Sequence, residues 1–427
     1  MTKPPAPWNA PTATTGVNAT VRLPGSKSMT ARALVLGAGS VGPTTLAAPL
    51  RARDTELMAA GIRAMGAAVS TVDETHWVVR PRPLTGPATV DVGLAGTVMR
   101  FLPPLAGLAT GPVTFDGDPR ARQRPLAPLI NALRALGCRI EASSADGLPL
   151  VVHGEGRVRG GEVVIDASLS SQLVSGLLLA APDFDEGLVL RHEGPPVPSA
   201  PHLRMTVQML RAAGAAVDDS TPNVWHVGPG RLSGRGWEIE PDLSGAAPFL
   251  AAALVTGGSV TVPGWPRSTT QAGDRLRDVL TRMGGACALT AEGLTVTGTG
   301  TIHGVELDLR DFGELTPAIA ALAALADSPT QLTGISHIRT HETDRVAALA
   351  HELTALGAEV SEHSDGLSIR PRPLTGTAFE TYDDHRMAHA AAIIGLRVPG
   401  VVLSDVSCTS KTLPDFPALW SRMTRES

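Results

Sequence analysis

Six short stretches of this 427-residue chain carry charged or hydroxyl side chains in patterns suited to handling anions. Residues 24–28 read PGSKS, placing Ser26, Lys27 and Ser28 at the start of a predicted helix, with Arg32 one turn after Ser28. Such a cluster binds phosphate or carboxylate, but without G-x-x-x-x-G-K-[ST] it is not a nucleoside-triphosphate loop. In AGTVMR, Gly96 and Thr97 begin another helix with Arg100 following, and a glycine there lets a ligand approach the backbone closely. GDPRARQRP holds Arg120, Arg122 and Arg124, a run that by itself reads as solvated surface charge. SSQ at 170–172 offers uncharged donors at a third helix start. HETDR at 341–345 sets Glu342 and Arg345 three apart on one turn, in isolation a surface pair worth about 0.3 kcal/mol. DDHR at 383–386 has metal-ligand residue types, yet its companions are Arg and Lys, which repel a metal ion, so no metal is expected. The set is rich in cations and poor in nucleophiles: it contains no cysteine, no Ser/His/Asp order for acyl transfer and no dinucleotide glycine pattern. Glu314, Glu342 and Lys27 remain for proton transfer between ligands held by electrostatics, with the chemistry carried by the ligands and no cofactor.

The elements that must position these residues recur. Six times a short strand runs into a polar loop and then an Ala- and Leu-rich helix: VRLPGSKS, VDVGLAGT, VIDASLSSQ, EIEPDLSG, ELDLRDFGE and ETYDDHR. Each loop thus lies at a helix N-terminus, where unpaired N–H groups and the helix dipole favour an anion by about 0.3–1 kcal/mol. Asp242 and Ser244 read as plain helix caps, since no cation accompanies them in sequence. Between these loops a second pattern repeats, a helix ending in glycine followed by a strand, at Gly66, Gly137, Gly214, Gly284 and Gly357, with a sixth helix near residues 414–423 lacking the glycine. PRPLTG also occurs twice, at 81–86 and 371–376.

Bulk properties narrow the function. The length suits about two domains. A net charge of −5 and 3% aromatic residues give neither the basic excess nor the stacking platforms of a nucleic-acid binder. No apolar run is long enough to span a membrane and residues 1–20 lack a signal pattern, so a cytoplasmic protein is expected. Cys138, Cys287 and Cys408 are scattered and read as structural thiols. Of 36 basic residues only Lys3, Lys27 and Lys411 are lysine. Where arginine is the rule, a lysine inside a functional loop implies a need for a compact point charge, while Lys3 in the tail carries no such weight.

LPGSKS, AGTxMR, RQRP, SSQ, HETDR, DDHRMA and SKTxPDF, in this order, resemble the 5-enolpyruvylshikimate-3-phosphate synthase family from Val21 to the C-terminus. The resemblance implies an α/β (α+β) fold, a two-domain inside-out α/β barrel of six βαβαββ-like repeats with helix N-termini facing the interdomain cleft. It implies residues 21–238 as one half, 1–20 plus 239–427 as the other, and a monomer. The implied reaction moves the enolpyruvyl group of phosphoenolpyruvate to the 5-hydroxyl of shikimate 3-phosphate and releases phosphate, toward chorismate and the aromatic amino acids. Shikimate 3-phosphate would then meet Lys27, Ser28, Arg32, Ser170, Ser171, Ser199, Glu314 and His341. Phosphoenolpyruvate would meet Lys27, Gly96, Arg124, Gln172, Arg345, Arg386 and Lys411, and Glu314, Glu342 and Lys27 would be catalytic. The chain departs from the commoner family pattern at Glu314 (usually Asp), His341 (Lys), and Leu94, His337 and Ala31 (each Asn). Gly96 is the residue type that leaves room for glyphosate.

Two other readings compete. The related transferase acting on UDP-N-acetylglucosamine has Lys-Asn near its N-terminus and usually a cysteine near the RQRP position, whereas here Ser28 follows Lys27 and residues 117–125 lack cysteine. A non-catalytic anion-binding scaffold would use the same helix ends but would not need Glu314 and Glu342.

Overall fold

The computed structural model describes residues 7–425 except 74, 144 and 145; Lys3 lies outside them. The described chain forms five four-stranded sheets and one three-stranded sheet. The unit that appears three times uninterrupted, beginning at Ala88, Gly161 and Glu306, is strand, helix, strand, helix and two strands. Ala88–Asp91 leads into the helix Gly96–Ala106 and returns as Thr110–Asp116, parallel to the first strand in the register Val90↔Phe115. The helix Ala127–Ala135 follows, and the hairpin Arg139–Ala142 and Leu150–Glu155 completes the sheet antiparallel. Gly161–Ile165 begins the same order again.

Two compact units result, Met1–Pro24 with Glu240–Ser427, and Gly25–Ile239. The chain passes between them twice, and the strand beside each passage pairs within its own unit. Asn18–Thr20 joins the sheet of Ser259–Pro263 in the first unit, and Gly236–Glu238 joins that of Thr44–Ala47 in the second. In the first unit the last sheet is short, because Trp8–Asn9 pairs antiparallel with Val402–Leu403 where the other repeats place their hairpin.

Each unit buries helices inside its sheets. All eleven residues of Gly96–Ala106 and all nine of Thr316–Ala324 are buried. A helix apolar on every side has no solvent face to offer, so it becomes the centre around which the one-sided strands pack. Leu188–His192 shows the complement, with Leu188, Leu190 and His192 buried and Arg191 exposed. The two cores are separate clusters, one from Ala31 to Ile239 and the other built on residues 243–423 with Ala10, Val17 and Val21.

The glycine repeat has the geometry its spacing predicts. Gly66, Gly137, Gly214, Gly284 and Gly357 have φ between 97° and 111°, a region closed to most side chains. At four of them the following N–H bonds back to a carbonyl of the preceding helix: Cys138 to Leu133, Ala215 to Leu210, Gly285 to Leu280 and Ala358 to Leu353. The sixth helix is Phe416–Arg425.

Candidate active site

In the unit Gly25–Ile239, Lys27 is the first residue of the helix Lys27–Ala38, whose cap Ser26 accepts from Met29 N–H at 3.4 Å. Its Nζ lies 3.3 Å from Oδ2 of Asp54, which is only 2% exposed. Asp54 Oδ1 is buried without a hydrogen-bond partner. No loop pattern marks Asp54, because a carboxylate 27 residues away on another helix leaves no local signal.

Ser28 is partly exposed, and its carbonyl accepts from Arg32 Nη1 at 3.0 Å. Arg32 itself is buried, donating to Thr206 Oγ1 at 2.7 Å, Ser175 Oγ at 3.3 Å and the His202 carbonyl at 3.0 Å. Burial lowers its pKa to about 9. Ser170 caps the helix Ser171–Ala180 through Gln172 N–H, with Ser170 partly exposed and Ser171 buried. Ser199 precedes the helix Ala200–Ala212 in a left-handed conformation, φ 57°, with no side-chain cap bond.

Gly96 is where the predicted residues of this unit converge. A Cβ there would stand 2.8 Å from Gln172 Oε1, 2.9 Å from Arg124 Nη2 and 3.0 Å from Arg100 Nη1. Arg100 is buried and donates to Gln172 Oε1 at 2.9 Å; it belongs to this cluster, though the motif reading noted it only as following Gly96. The arginine run divides. Arg122 forms an exposed pair with Asp116, whereas Arg124, turned inward after the short 3-10 helix Ala121–Gln123, is buried and donates to the Leu94 carbonyl at 3.0 Å.

The other unit gathers its residues into one network. Asp384 is fully buried and caps the helix His385–Gly395 by accepting Arg386 N–H at 2.9 Å. It also receives Arg345 Nε at 2.8 Å and Nη2 at 3.0 Å. Arg345 further meets Glu342 Oε2 at 3.1 Å and His341 Nδ1 at 3.1 Å. Glu342 accepts Lys411 Nζ on its other oxygen at 2.6 Å, and Lys411 and Arg345 are each 3% exposed in their side chains. The HETDR pair is therefore no surface ion pair: it is buried and shares its charge with a lysine from the far end of the chain. Burial alone would lower the Arg345 pKa, but the Asp384 and Glu342 carboxylates outweigh it and raise the value. Arg386 is lowered, by burial above all.

Glu314 is partly exposed and accepts from Ser244 Oγ at 3.3 Å, while the Ser244 carbonyl accepts from Arg386. The plain-cap reading of Ser244 is thus corrected: the helix packing brings a base candidate and a guanidinium to it from 70 and 142 residues away. His337 packs its Nε2 against Gly313, next to Glu314, and stands edge-on to His341 at 5.9 Å between ring centroids. Burial holds the His337 pKa down against the opposing charges of Glu314 and Asp365.

One turn after His385, His389 is buried with neither ring nitrogen hydrogen-bonded. Burial, then the charges of Arg386 and Arg345, keep its pKa well below the histidine range. The unfolded chain takes up this proton below pH ~6.5 and the folded one does not, so stability falls as pH drops from there. His389→Leu should flatten the loss of melting stability between pH 7 and 5 by ~1 kcal/mol or more. Parallel pH–Tm curves for the variant and wild type would contradict this.

Among the described residues no group of three or more His, Cys, Asp or Glu is placed to hold a metal ion, and no helix is long and apolar enough to cross a membrane.

Comparison with known proteins bears on the whole chain. The family profile described as EPSP synthase (3-phosphoshikimate 1-carboxyvinyltransferase) matches residues 11–420. A curated relative, the 3-phosphoshikimate 1-carboxyvinyltransferase of Mycobacterium ulcerans (strain Agy99), is 51% identical over 430 residues, covering 99% of this chain and 98% of the relative. A solved EPSP synthase from Acinetobacter baumannii superposes with a TM-score of 0.79 at 23% identity, over 98% of this chain and 97% of that one. The enolpyruvyl transferase NikO from Streptomyces tendae has a TM-score of 0.78 at 19% identity, over 98% of each chain. These two share the fold.

Proposed function

The chain belongs to the EPSP synthase (3-phosphoshikimate 1-carboxyvinyltransferase) family, and on that premise we propose how its residues divide the reaction. The reaction itself is the family's: the enolpyruvyl group of phosphoenolpyruvate passes to the 5-hydroxyl of shikimate 3-phosphate and phosphate leaves, in aromatic amino-acid biosynthesis. The observation that carries the assignment is the Glu342 carboxylate, held between the buried Lys411 and Arg345.

Phosphoenolpyruvate takes Lys411, Arg345, Arg386, Lys27, Gly96, Arg124 and Gln172. As an anion it competes with Glu342 for Lys411 and Arg345. Its arrival frees the Glu342 carboxylate to take up a proton from solvent and pass it to the methylene carbon. Shikimate 3-phosphate takes Lys27, Ser28, Arg32, Ser170, Ser171, Ser199, Glu314 and His341, and Glu314 accepts the proton of the attacking hydroxyl. Glutamate in place of aspartate extends this base by one methylene, and Ser244 at 3.3 Å supports the longer arm. Addition gives a tetrahedral phosphate-bearing intermediate. Loss of the added methyl proton and of phosphate then leaves the enol ether, with Lys27 sharing in the proton transfers. The protein works as a cytoplasmic monomer in this reading. Phosphate release that requires both substrates together, with the enolpyruvyl ether as co-product, tests it; release from phosphoenolpyruvate alone contradicts it.

Gly96 supplies a further test. A methyl group at this position must displace the ends of Gln172, Arg124 and Arg100. Overpacking of this kind costs roughly 1–3 kcal/mol, so Gly96→Ala should raise KM for phosphoenolpyruvate about tenfold and weaken glyphosate inhibition. KM for shikimate 3-phosphate should stay within about twofold. Unimpaired wild-type turnover in millimolar glyphosate would refute the role given to Gly96.

A further inference from the structure

Between the strand Ala378–Phe379 and the helix His385–Gly395 the chain reverses sharply, closed by Asp384 N–H donating to the Thr381 carbonyl at 2.8 Å. Both central residues are left-handed, Tyr382 at φ 55° and Asp383 at φ 52°. Glycine, asparagine and aspartate take this conformation most readily, and a bulky tyrosine is out of place in it. Tyr382 is also the single tyrosine of the chain.

Its phenol accounts for its presence. The hydroxyl donates to Glu352 Oε1 at 2.6 Å, and Glu352 Oε2 accepts Glu380 N–H at 3.1 Å. Glu352 is 4% exposed. Burial, then the bond to Glu352, hold the phenol pKa well above the tyrosine range. From the other side Glu380 Oε1 accepts the N–H groups of Thr381 and Tyr382, each at 3.0 Å, and the Ser404 hydroxyl at 2.9 Å. Glu352 follows Arg345 by seven residues on the helix Arg345–Ala355, so both lie on one face of it. That face grips the reversal at two points, Glu352 on Tyr382 and Glu380, and Arg345 on Asp384.

We propose that Tyr382 and Glu352 are positioning residues for the phosphoenolpyruvate-binding arginines. The phenol–carboxylate bond, anchored on the buried Glu352, holds residues 381–384 in the left-handed turn that sets Asp384 against Arg345 and starts the helix bearing Arg386. The proposal rests on the assignment of Arg345 and Arg386 to phosphoenolpyruvate. Strain of this kind gathers where a loop must be over-determined for function.

Tyr382→Phe removes only the hydroxyl, and should raise KM for phosphoenolpyruvate about tenfold, ~1.4 kcal/mol, with KM for shikimate 3-phosphate within about twofold. Tyr382→Gly takes the left-handed conformation unaided and should bring KM for phosphoenolpyruvate back to within about threefold of wild type. A merely structural tyrosine gives the opposite order, because glycine deletes more packing than phenylalanine does. An unchanged KM for phosphoenolpyruvate in Tyr382→Phe, an equal rise for both substrates, or a glycine variant worse than the phenylalanine one each overturns the proposal. If Tyr382→Phe does not fold, Glu352→Gln reads the same bond from its other end, with Tyr382→Gly as before. Arg386→Lys in the same assay separates the two levels. An unchanged KM for phosphoenolpyruvate there overturns the arginine assignment and this proposal with it. A loss in Arg386→Lys with none in Tyr382→Phe overturns the proposal alone.

Discussion

Glu342→Gln is expected to lower kcat about a thousandfold while leaving KM for phosphoenolpyruvate no higher than in wild type. Glutamine keeps the volume and one acceptor oxygen of the glutamate but cannot deliver a proton. General acid–base catalysis contributes roughly 10²–10⁴-fold, which sets the scale. The direction in KM follows from the pairing. With Glu342 neutral, Lys411 and Arg345 lose a competitor for the incoming anion. The measurement is phosphate release at saturating concentrations of both substrates. Turnover within tenfold of wild type would remove Glu342 from proton transfer and leave it as a counter-ion for the two cations.

Lys411→Arg and Lys27→Arg should each lower kcat/KM for phosphoenolpyruvate about a hundredfold, ~2.7 kcal/mol, although both keep the positive charge. Lys411 places a compact ammonium 2.6 Å from Glu342 in a buried position, where a planar fork needs more room and a different approach. Lys27 sits on Asp54 at the first residue of its helix, 23% exposed in its side chain. Arg122→Lys, on the exposed pair with Asp116, provides the control and should leave kcat/KM unchanged. If the two arginine variants behave like the control, the retention of lysine in an arginine-rich chain has no catalytic reason.

Local features were legible in the linear sequence to the extent that their causes are local. The five repeat glycines announce helix ends because only a residue without Cβ adopts φ near 100°, and all five do. The six strand–loop–helix stretches follow from the switch of apolar period and from capping residues, and Ser26, Ser170 and Asp384 cap their helices as such residues do. The lysine count singles out Lys27 and Lys411, and both form carboxylate pairs.

Other features belong to packing, which brings together residues with no local signal in common. Arg122 and Arg124 are two apart in one loop, yet one is exposed on Asp116 and the other buried on the Leu94 carbonyl, since a turn of 3-10 helix separates their directions. Ser244 meets Glu314 and Arg386, and Asp54 meets Lys27, only because buried helices converge on common points. Tyr382 in the sequence is one aromatic residue in a polar loop, and its anchor Glu352 lies 30 residues earlier on another helix. The sequence by itself determined the repeat, the helix ends and the kind of ligand, through backbone conformation and charge that each residue carries wherever it is placed. The tertiary structure decided which charges are buried, paired and aimed, because burial and pairing depend on neighbours that the chain brings together only on folding.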